Sequence, residues 1–215
     1  MLSLHLAGVR SVVLLGAHPD DIEIGAGGLL LALAGTARPE PLRVHYVLLT
    51  GGPDRQAEAR AAVMTFLAGA RITLDLHDLP DGRVPAHWGR AKEIVDRAAA
   101  VVPDVDLVVA PGTDDAHQDH RLLAELAPTA FRDAPLLHYE IPKWDGDLGR
   151  RNLYLPLTEE LVRRKLELLH ACFPSQKSRD WWDDEVFLGL ARLRGMECRA
   201  RYAEAFRCEK AVIRL

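Results

Sequence analysis

The chain has 215 residues, of which 48% are hydrophobic and 27% charged, and its formal net charge is −4 at pH 7. This acidic balance, without a basic run of five residues, argues against nucleic acid or an anionic membrane as a partner. Three cysteines without CxxC spacing, and the lack of any stretch of eighteen apolar residues, favour a cytoplasmic protein with no membrane span.

Short apolar runs alternate with segments of helical spacing along the whole chain. The predicted strands are residues 12–15, 44–49, 72–76, 107–110, 136–141, 153–155 and 211–215. The predicted helices are a first one that begins at residue 27, followed by 55–68, 89–101, 120–131, 159–172 and 183–194. This alternation predicts one α/β domain over residues 1–215, a Rossmann-like doubly wound fold whose mostly parallel sheet carries helices on both faces.

Two unusually polar loops, residues 17–23 and 113–120, follow the first and the fourth of these predicted strands. In a doubly wound sheet those two strands are neighbours at the point where the strand order reverses. Ligands bind in the crevice beyond their carboxyl ends. We therefore expect the two loops to form one pocket, although they are far apart in the sequence.

The two loops contain the residue types that bind metals in proteins. His18, Asp20 and Asp21 are in the first loop, and His117 and His120 are in the second. Two histidines and an aspartate with an open fourth position match the catalytic zinc pattern, and the remaining carboxylates then act as a base or orient the histidines. Taken singly, each loop is explained as well by hydrogen-bonded polar residues or helix caps. Together, at neighbouring strand ends, they predict a metal.

Other segments allow two interpretations each. Residues 138–147 leave a strand at the edge of the predicted crevice, and Trp144 and Asp145 are suited to hold a sugar ring and its hydroxyls. An Asp-Gly turn with Trp144 packed on the core is an equal alternative. The glycines of residues 25–28 do not form a GxGxxG motif, so we expect close helix packing there rather than a dinucleotide site.

Motifs in chain order also carry a family resemblance. These are Ala17-His18-Pro19-Asp20-Asp21-Ile22-Glu23-Ile24-Gly25, Thr50-Gly51-Gly52, Arg55 with Glu58, Pro80-Asp81-Gly82, His117-Gln118-Asp119-His120, Ser175-Gln176 and Tyr202-Ala203-Glu204-Ala205-Phe206. They resemble the PIG-L/LmbE-like family of zinc-dependent de-N-acetylases over nearly the whole chain. The sequence departs from the usual pattern where Ile22 precedes Glu23 and where Gln118 replaces a proline.

The resemblance implies a division of roles among the site residues. Zn²⁺ would be held by His18, Asp21 and His120, and Asp20 would be the general base. His117 would be the protonated partner that stabilises the oxyanion and helps the amine to leave.

It also implies roles around that centre. Arg55 would contact the substrate or brace the site, and Asp119 would orient a ligand histidine.

The sequence thus predicts a zinc-dependent hydrolase that removes the acetyl group from an N-acetylated sugar, with a small-molecule or glycoconjugate substrate. Two alternatives stay within this fold and site: a deacetylase of a non-sugar N-acyl metabolite, and a carbohydrate-binding domain that keeps the metal without turnover. A dinucleotide-dependent oxidoreductase is disfavoured by the missing glycine motif. Assembly into a homo-oligomer is a further implication of the resemblance.

Overall fold

The computed structural model describes residues 5–6 and 8–212. The strands are β1 (Ser11–Gly16), β2 (Arg43–Thr50), β3 (Arg71–Leu79), β4 (Leu107–Pro111), β5 (Leu136–Tyr139), β6 (Leu153–Leu157) and β7 (Tyr202–Cys208). The helices are α1 (Asp21–Gly35), α2 (Pro53–Phe66), α3 (Trp88–Val101), α4 (Gln118–Ala130), α5 (Glu159–Cys172) and α6 (Asp184–Glu197). Within the described part of the chain, no helix combines the length and apolarity needed to cross a membrane.

The predicted α/β fold with a mostly parallel sheet is confirmed. The strand order is β3-β2-β1-β4-β5-β7-β6, and β1 to β5 pair in parallel, whereas β7 is antiparallel to both of its neighbours. In the centre, Val12 of β1 pairs with Val44 of β2 on one side and with Leu107 of β4 on the other. The strand order reverses between β1 and β4, which places the ligand crevice beyond their carboxyl ends.

Helices cover both faces of the sheet. Successive side chains of a strand point to opposite faces, and each face is buried here. Val12 and Leu14 of β1 belong to the core shared with α1, α2 and α5, whereas Val13 and Leu15 belong to the core shared with α3 and α4. A strand buried in this way requires a continuous apolar run, which is why the sequence located the central strands well.

Helix α1 begins at Asp21, well before its predicted start at residue 27. Asp20 precedes it with a φ of 112°, in the left-handed region, where aspartate is tolerated better than most non-glycine residues. Asp21 and Glu23 lie in the first turn, where negative charge interacts favourably with the helix dipole. Polar residues that resembled a loop therefore form helix, and the helix fixes the direction of the Asp21 side chain.

The glycine run of α1 allows other elements to approach the helix closely. A Cβ atom at Gly25 would lie 2.4 Å from the Tyr139 ring, and one at Gly28 would lie 3.0 Å from the Glu204 carboxyl carbon. Glu204 is the centre of the tail motif on β7, and its carboxylate accepts hydrogen bonds from the Gly28 and Leu29 amides at 2.6 and 2.7 Å. The predicted packing role of this glycine run is confirmed.

The end of the chain differs from the prediction. Residues 211–212 form no strand, so the prediction of a closing strand over 211–215 is wrong there, and residues 213–215 lie outside the described residues. The last described strand is instead β7, formed by the tail motif. Buried Glu204 interrupts the apolar pattern of this strand, and its contacts with α1 and with Lys165 of α5 explain a carboxylate at that position.

Glu204→Ala tests this contact. The substitution removes the acceptor of two amides of α1 and the partner of Lys165, whose Nζ lies 2.8 Å from Glu204 Oε1. Because buried donors and charges without partners are costly, we expect the free energy of unfolding in urea to fall by about 3–5 kcal/mol. Exposed Glu209→Ala, the control, should change it by less than about 0.5 kcal/mol. A similarly small loss for Glu204→Ala would contradict the interpretation.

Candidate active site

The two polar loops meet at the carboxyl ends of β1 and β4. His18 follows β1, and His120 lies in the first turn of α4, which follows β4. Although 102 residues separate them, His18 Nδ1 and His120 Nε2 are 3.0 Å apart. Both side chains line an open cavity of about 630 Å³. The structure therefore brings together the residues that the strand order predicted to be neighbours.

Asp21 completes a triangle of potential ligand atoms with the two histidines. Its Oδ2 lies 3.4 Å from His18 Nδ1 and 3.2 Å from His120 Nε2. The backbone amides of Ala17 and His18 donate to the same oxygen at 3.0 and 2.8 Å and hold it in place. Tetrahedral zinc with bonds of about 2.0–2.2 Å separates its ligand atoms by about 3.3–3.6 Å. The three atoms are therefore close to the spacing that a zinc ion needs.

The second nitrogen of each histidine contacts a carboxylate. His18 Nε2 lies 3.2 Å from Asp119 Oδ2 and 3.0 Å from Asp81 Oδ1, and His120 Nδ1 lies 2.8 Å from Asp115 Oδ2. Histidines that bind metals are usually oriented in this way, with one nitrogen towards the metal and the other donating to a carboxylate. Asp119, for which the sequence predicted such a role, is one of these carboxylates.

Two of these orienting carboxylates had no predicted role. Asp81 lies in a Pro-Asp-Gly turn, and Asp115 lies two residues before His117 in the second loop. Both belong to polar segments that are visible in the sequence, but nothing in the sequence indicates which histidine each one faces. Asp119 itself is held by the amides of Gly82 and Val84, which donate to its two oxygens at 2.8 and 3.0 Å.

The electrostatics of the triangle favour positive charge. Burial opposes protonation of His18, but Asp21 and the hydrogen bond with Asp119 outweigh it and raise the pKa of His18 well above its ordinary value. Burial also opposes protonation of His120, and Asp21 and Asp115 raise its pKa to about 9. In turn these imidazoles, against the effect of burial, hold the pKa of Asp21 well below its usual range. The carboxylates around the triangle therefore favour positive charge at this point.

Asp20 is not part of the triangle and is hydrogen-bonded to an arginine instead. Arg55 of α2 donates to Asp20 Oδ2 at 2.7 Å and to the Pro19 carbonyl, and its other Nη contacts Glu58 and, at 2.9 Å, Ser175 Oγ. Burial and the Asp21 charge raise the pKa of Asp20 to about 7, while Arg55 acts in the opposite direction. A carboxylate with a pKa near the working pH is suited to general base catalysis.

His117 lies beside the triangle. Its ring centroid is 4.7 Å from those of both His18 and His120, and together the three imidazoles form a second group whose nitrogens are close enough to bind a metal. A third such group joins His18 and His117 to Asp81 and Asp119. Burial lowers the pKa of His117, and the charges of His120 and His18 lower it further.

Comparison with known proteins identifies the family. A family model described as PIG-L, GlcNAc-PI de-N-acetylase, matches residues 13–131, more than half of the chain. This chain belongs to the PIG-L family. The match covers both loops of the site and confirms the resemblance that the motifs suggested. Members of this deacetylase family act on N-acetyl amides, which establishes the general class of reaction.

Relatives of this PIG-L protein include the uncharacterized deacetylase YaiS of Escherichia coli strain K12, which is 27% identical over 150 residues, 62% of this chain and 75% of YaiS. The conserved protein TT1542 from Thermus thermophilus is 21% identical, with a TM-score of 0.70 over 96% of this chain and 97% of that one. N,N'-diacetylchitobiose deacetylase from Pyrococcus horikoshii is 20% identical, with a TM-score of 0.71 over 93% and 84%. The two structures show that the fold is shared.

The loop after β5 lies beyond the part of the chain that the PIG-L model matches. Trp144 is 65% exposed, lines the cavity and donates from its indole Nε1 to Asp180 at 3.0 Å. Its ring meets that of Trp181, also in the cavity wall, edge to face at 5.9 Å. The alternative that packed Trp144 on the core is therefore wrong. Asp145 is exposed and is not among the residues that line the cavity.

Proposed function

We propose that this protein is a zinc-dependent hydrolase that removes the acetyl group from an N-acetylated sugar. One observation carries the proposal: His18 Nδ1, Asp21 Oδ2 and His120 Nε2 converge within 3.4 Å of one another, and each histidine places its other nitrogen against a carboxylate. We assign these three residues as the metal ligands. Asp119 is a less suitable ligand than Asp21 because it contacts Nε2 of His18, whereas His120 lies beside Nδ1 of the same ring.

The residues around the ligands support hydrolysis of an amide. When bound, zinc supplies Lewis-acid chemistry, which polarises a carbonyl and makes water more acidic. Asp20 accepts a proton from the attacking water as the oxygen adds to the acetyl carbon. His117 donates a hydrogen bond to the developing oxyanion, whose charge favours the protonated imidazole. His117 then transfers its proton to the nitrogen as the C–N bond breaks, which releases acetate and a free amine, and the proton taken up by Asp20 balances the one that His117 loses.

Arg55 braces the base in this scheme. Two of its hydrogen bonds go to the first loop, one to Asp20 and one to the Pro19 carbonyl. The guanidinium therefore fixes the loop and the direction of Asp20, and because Arg55 also lines the cavity, contact with the substrate stays a prediction.

The cavity rim supports a sugar as the substrate. Trp144 presents an exposed ring in the cavity that the proposed metal ligands also line, and an indole face covers the apolar C–H face of a pyranose. A cavity of about 630 Å³ has room for a sugar. The name of the fold relative N,N'-diacetylchitobiose deacetylase points to the same substrate class. Asp145, which lies next to Trp144, remains a predicted partner of sugar hydroxyls.

Metal analysis of purified variants tests the division of roles. Wild-type protein should hold close to one zinc per chain, and His120→Ala should lose it. Asp20→Asn should keep the zinc while kcat for acetate release falls roughly a hundred- to ten-thousandfold, since it lacks the base. His170→Ala on α5 is the control and should match wild type. Loss of zinc in Asp20→Asn would show that the two aspartates have been assigned wrongly.

The substrate class is tested in the same assay. Acetate release should be faster from N-acetylglucosamine or N,N'-diacetylchitobiose than from N-acetylated amino acids or polyamines. A preference for the latter would replace the sugar by a non-sugar amide and leave the metal chemistry unchanged.

The pH dependence of kcat tests the brace on Asp20. A base is active when ionised, so activity is lost as the pH falls through the pKa of Asp20. Arg55 lowers that pKa, and Arg55→Met should therefore move the acidic limb to higher pH, by about one unit or more. Exposed Arg60→Met on the same helix should leave the profile in place. An acidic limb that stays or moves to lower pH in Arg55→Met would remove Asp20 from this role.

Substitution of Trp144 tests the sugar platform. Trp144→Ala should raise KM about five- to thirtyfold, or about 1–2 kcal/mol, because the variant loses the contact between the indole and the sugar ring. Zinc content and Tm should stay near those of wild type, because the side chain is largely exposed. Trp88→Ala, exposed on α3, is the matched control. An unaltered KM in Trp144→Ala would leave the rim without a function in binding.

A further inference from the structure

Lys143 is enclosed between two carboxylates at the edge of the site. Its ammonium lies 2.9 Å from Asp115 Oδ1 and 2.9 Å from Asp147 Oδ2, and its side chain is only 9% exposed. Lysine is seldom buried to this extent unless it is paired. Neither the sequence motifs nor the mechanism proposed above gives this residue a role.

Asp115 connects Lys143 to the proposed metal ligand His120. Its Oδ2 lies 2.8 Å from His120 Nδ1, while its Oδ1 accepts the His117 amide at 2.8 Å in addition to Lys143. One carboxylate therefore holds both ends of the His-Gln-Asp-His segment. Lys143 therefore contacts the one oxygen of Asp115 that does not contact His120.

Asp147 closes the arrangement from the other side. Its Oδ2 accepts the Ala116 amide at 2.6 Å as well as the Lys143 ammonium. The loop after β5 thus contacts the loop after β4 both through the Lys143 side chain and through Asp147.

The segment that carries Lys143 has its own anchors. Glu140, directly after β5, accepts two hydrogen bonds from Arg194 of α6 at 2.7 and 2.6 Å. Arg151 donates to Glu140 at 3.2 Å and to Asp114 at 2.8 Å. Because these ion pairs hold both ends of the segment, we expect the loop to keep its conformation without Lys143. Removal of the ammonium should therefore mainly change the position of the Asp115 side chain.

We propose that Lys143 is a positioning residue for the zinc site, acting through Asp115 on His120. The inference rests on the proposed function, since it concerns the metal ligand assigned there. Partners that orient a ligand histidine typically change metal affinity ten- to a hundredfold when they are removed. Lys143 also lines the cavity, so direct contact with the substrate is the competing role.

The test is a double-mutant cycle on zinc affinity, measured by competition with a chelator. Lys143→Met should raise the zinc Kd ten- to a hundredfold, and Asp115→Asn should raise it at least as much. If Lys143 acts through Asp115, the double variant should bind zinc no more weakly than Asp115→Asn alone. Lys143→Arg, which keeps the charge, should recover part of the affinity. Lys92→Met, which removes a surface ion pair with Asp96, is the matched control.

The outcomes separate the two proposals. Tm of the zinc-free variants checks folding, and Lys143→Gln takes the place of Lys143→Met should the latter unfold. Wild-type zinc affinity with a raised KM in Lys143→Met would overturn the positioning role in favour of substrate contact. Equal losses with and without Asp115 would also overturn it. Failure of wild-type protein to bind zinc would instead overturn the proposed function, and this inference with it.

Discussion

The Asp21 carboxylate is the contact on which the two halves of the site depend. Its Oδ2 accepts two amides of its own loop and at the same time faces His18 and His120, which come from different ends of the matched region. A buried carboxylate is costly unless such partners surround it. The negative charge therefore requires the two histidines, or a cation between them, at this position. The other carboxylates of the site orient the two histidines around the Asp21 charge.

Helix α1 makes this arrangement possible. Asp21 is in its first turn and lines the cavity, and the helix that carries it lies close against β5 and β7. Gly25 and Gly28 permit that approach, because any side chain would collide with Tyr139 or with Glu204. The tail motif of β7 therefore contributes to the site without touching it, since Glu204 binds amides in the middle of the helix that starts with Asp21.

Neighbouring aspartates acquire different properties from different partners. Asp21 faces two imidazoles, which hold its pKa low, whereas Asp20 is buried beside the charge of Asp21 and has its pKa raised to about 7. Arg55 limits that rise and fixes the side chain. Two adjacent aspartates can thus serve different purposes, one as a ligand and the other as a base. The backbone at Asp20 is left-handed, and the two side chains face separate partners.

The sequence determined the central strands, because burial on both faces requires continuous apolar runs, and it determined the meeting of His18 with His120, because adjacent parallel strands end at one edge. It missed the early start of α1 and the strand around Glu204, where buried carboxylates break the apolar pattern. Only the tertiary structure decided which carboxylate faces each histidine and that Lys143 reaches Asp115. Those contacts join residues that are far apart in the chain, and no periodic pattern in the sequence relates them. They depend on the directions in which the side chains point in the folded protein.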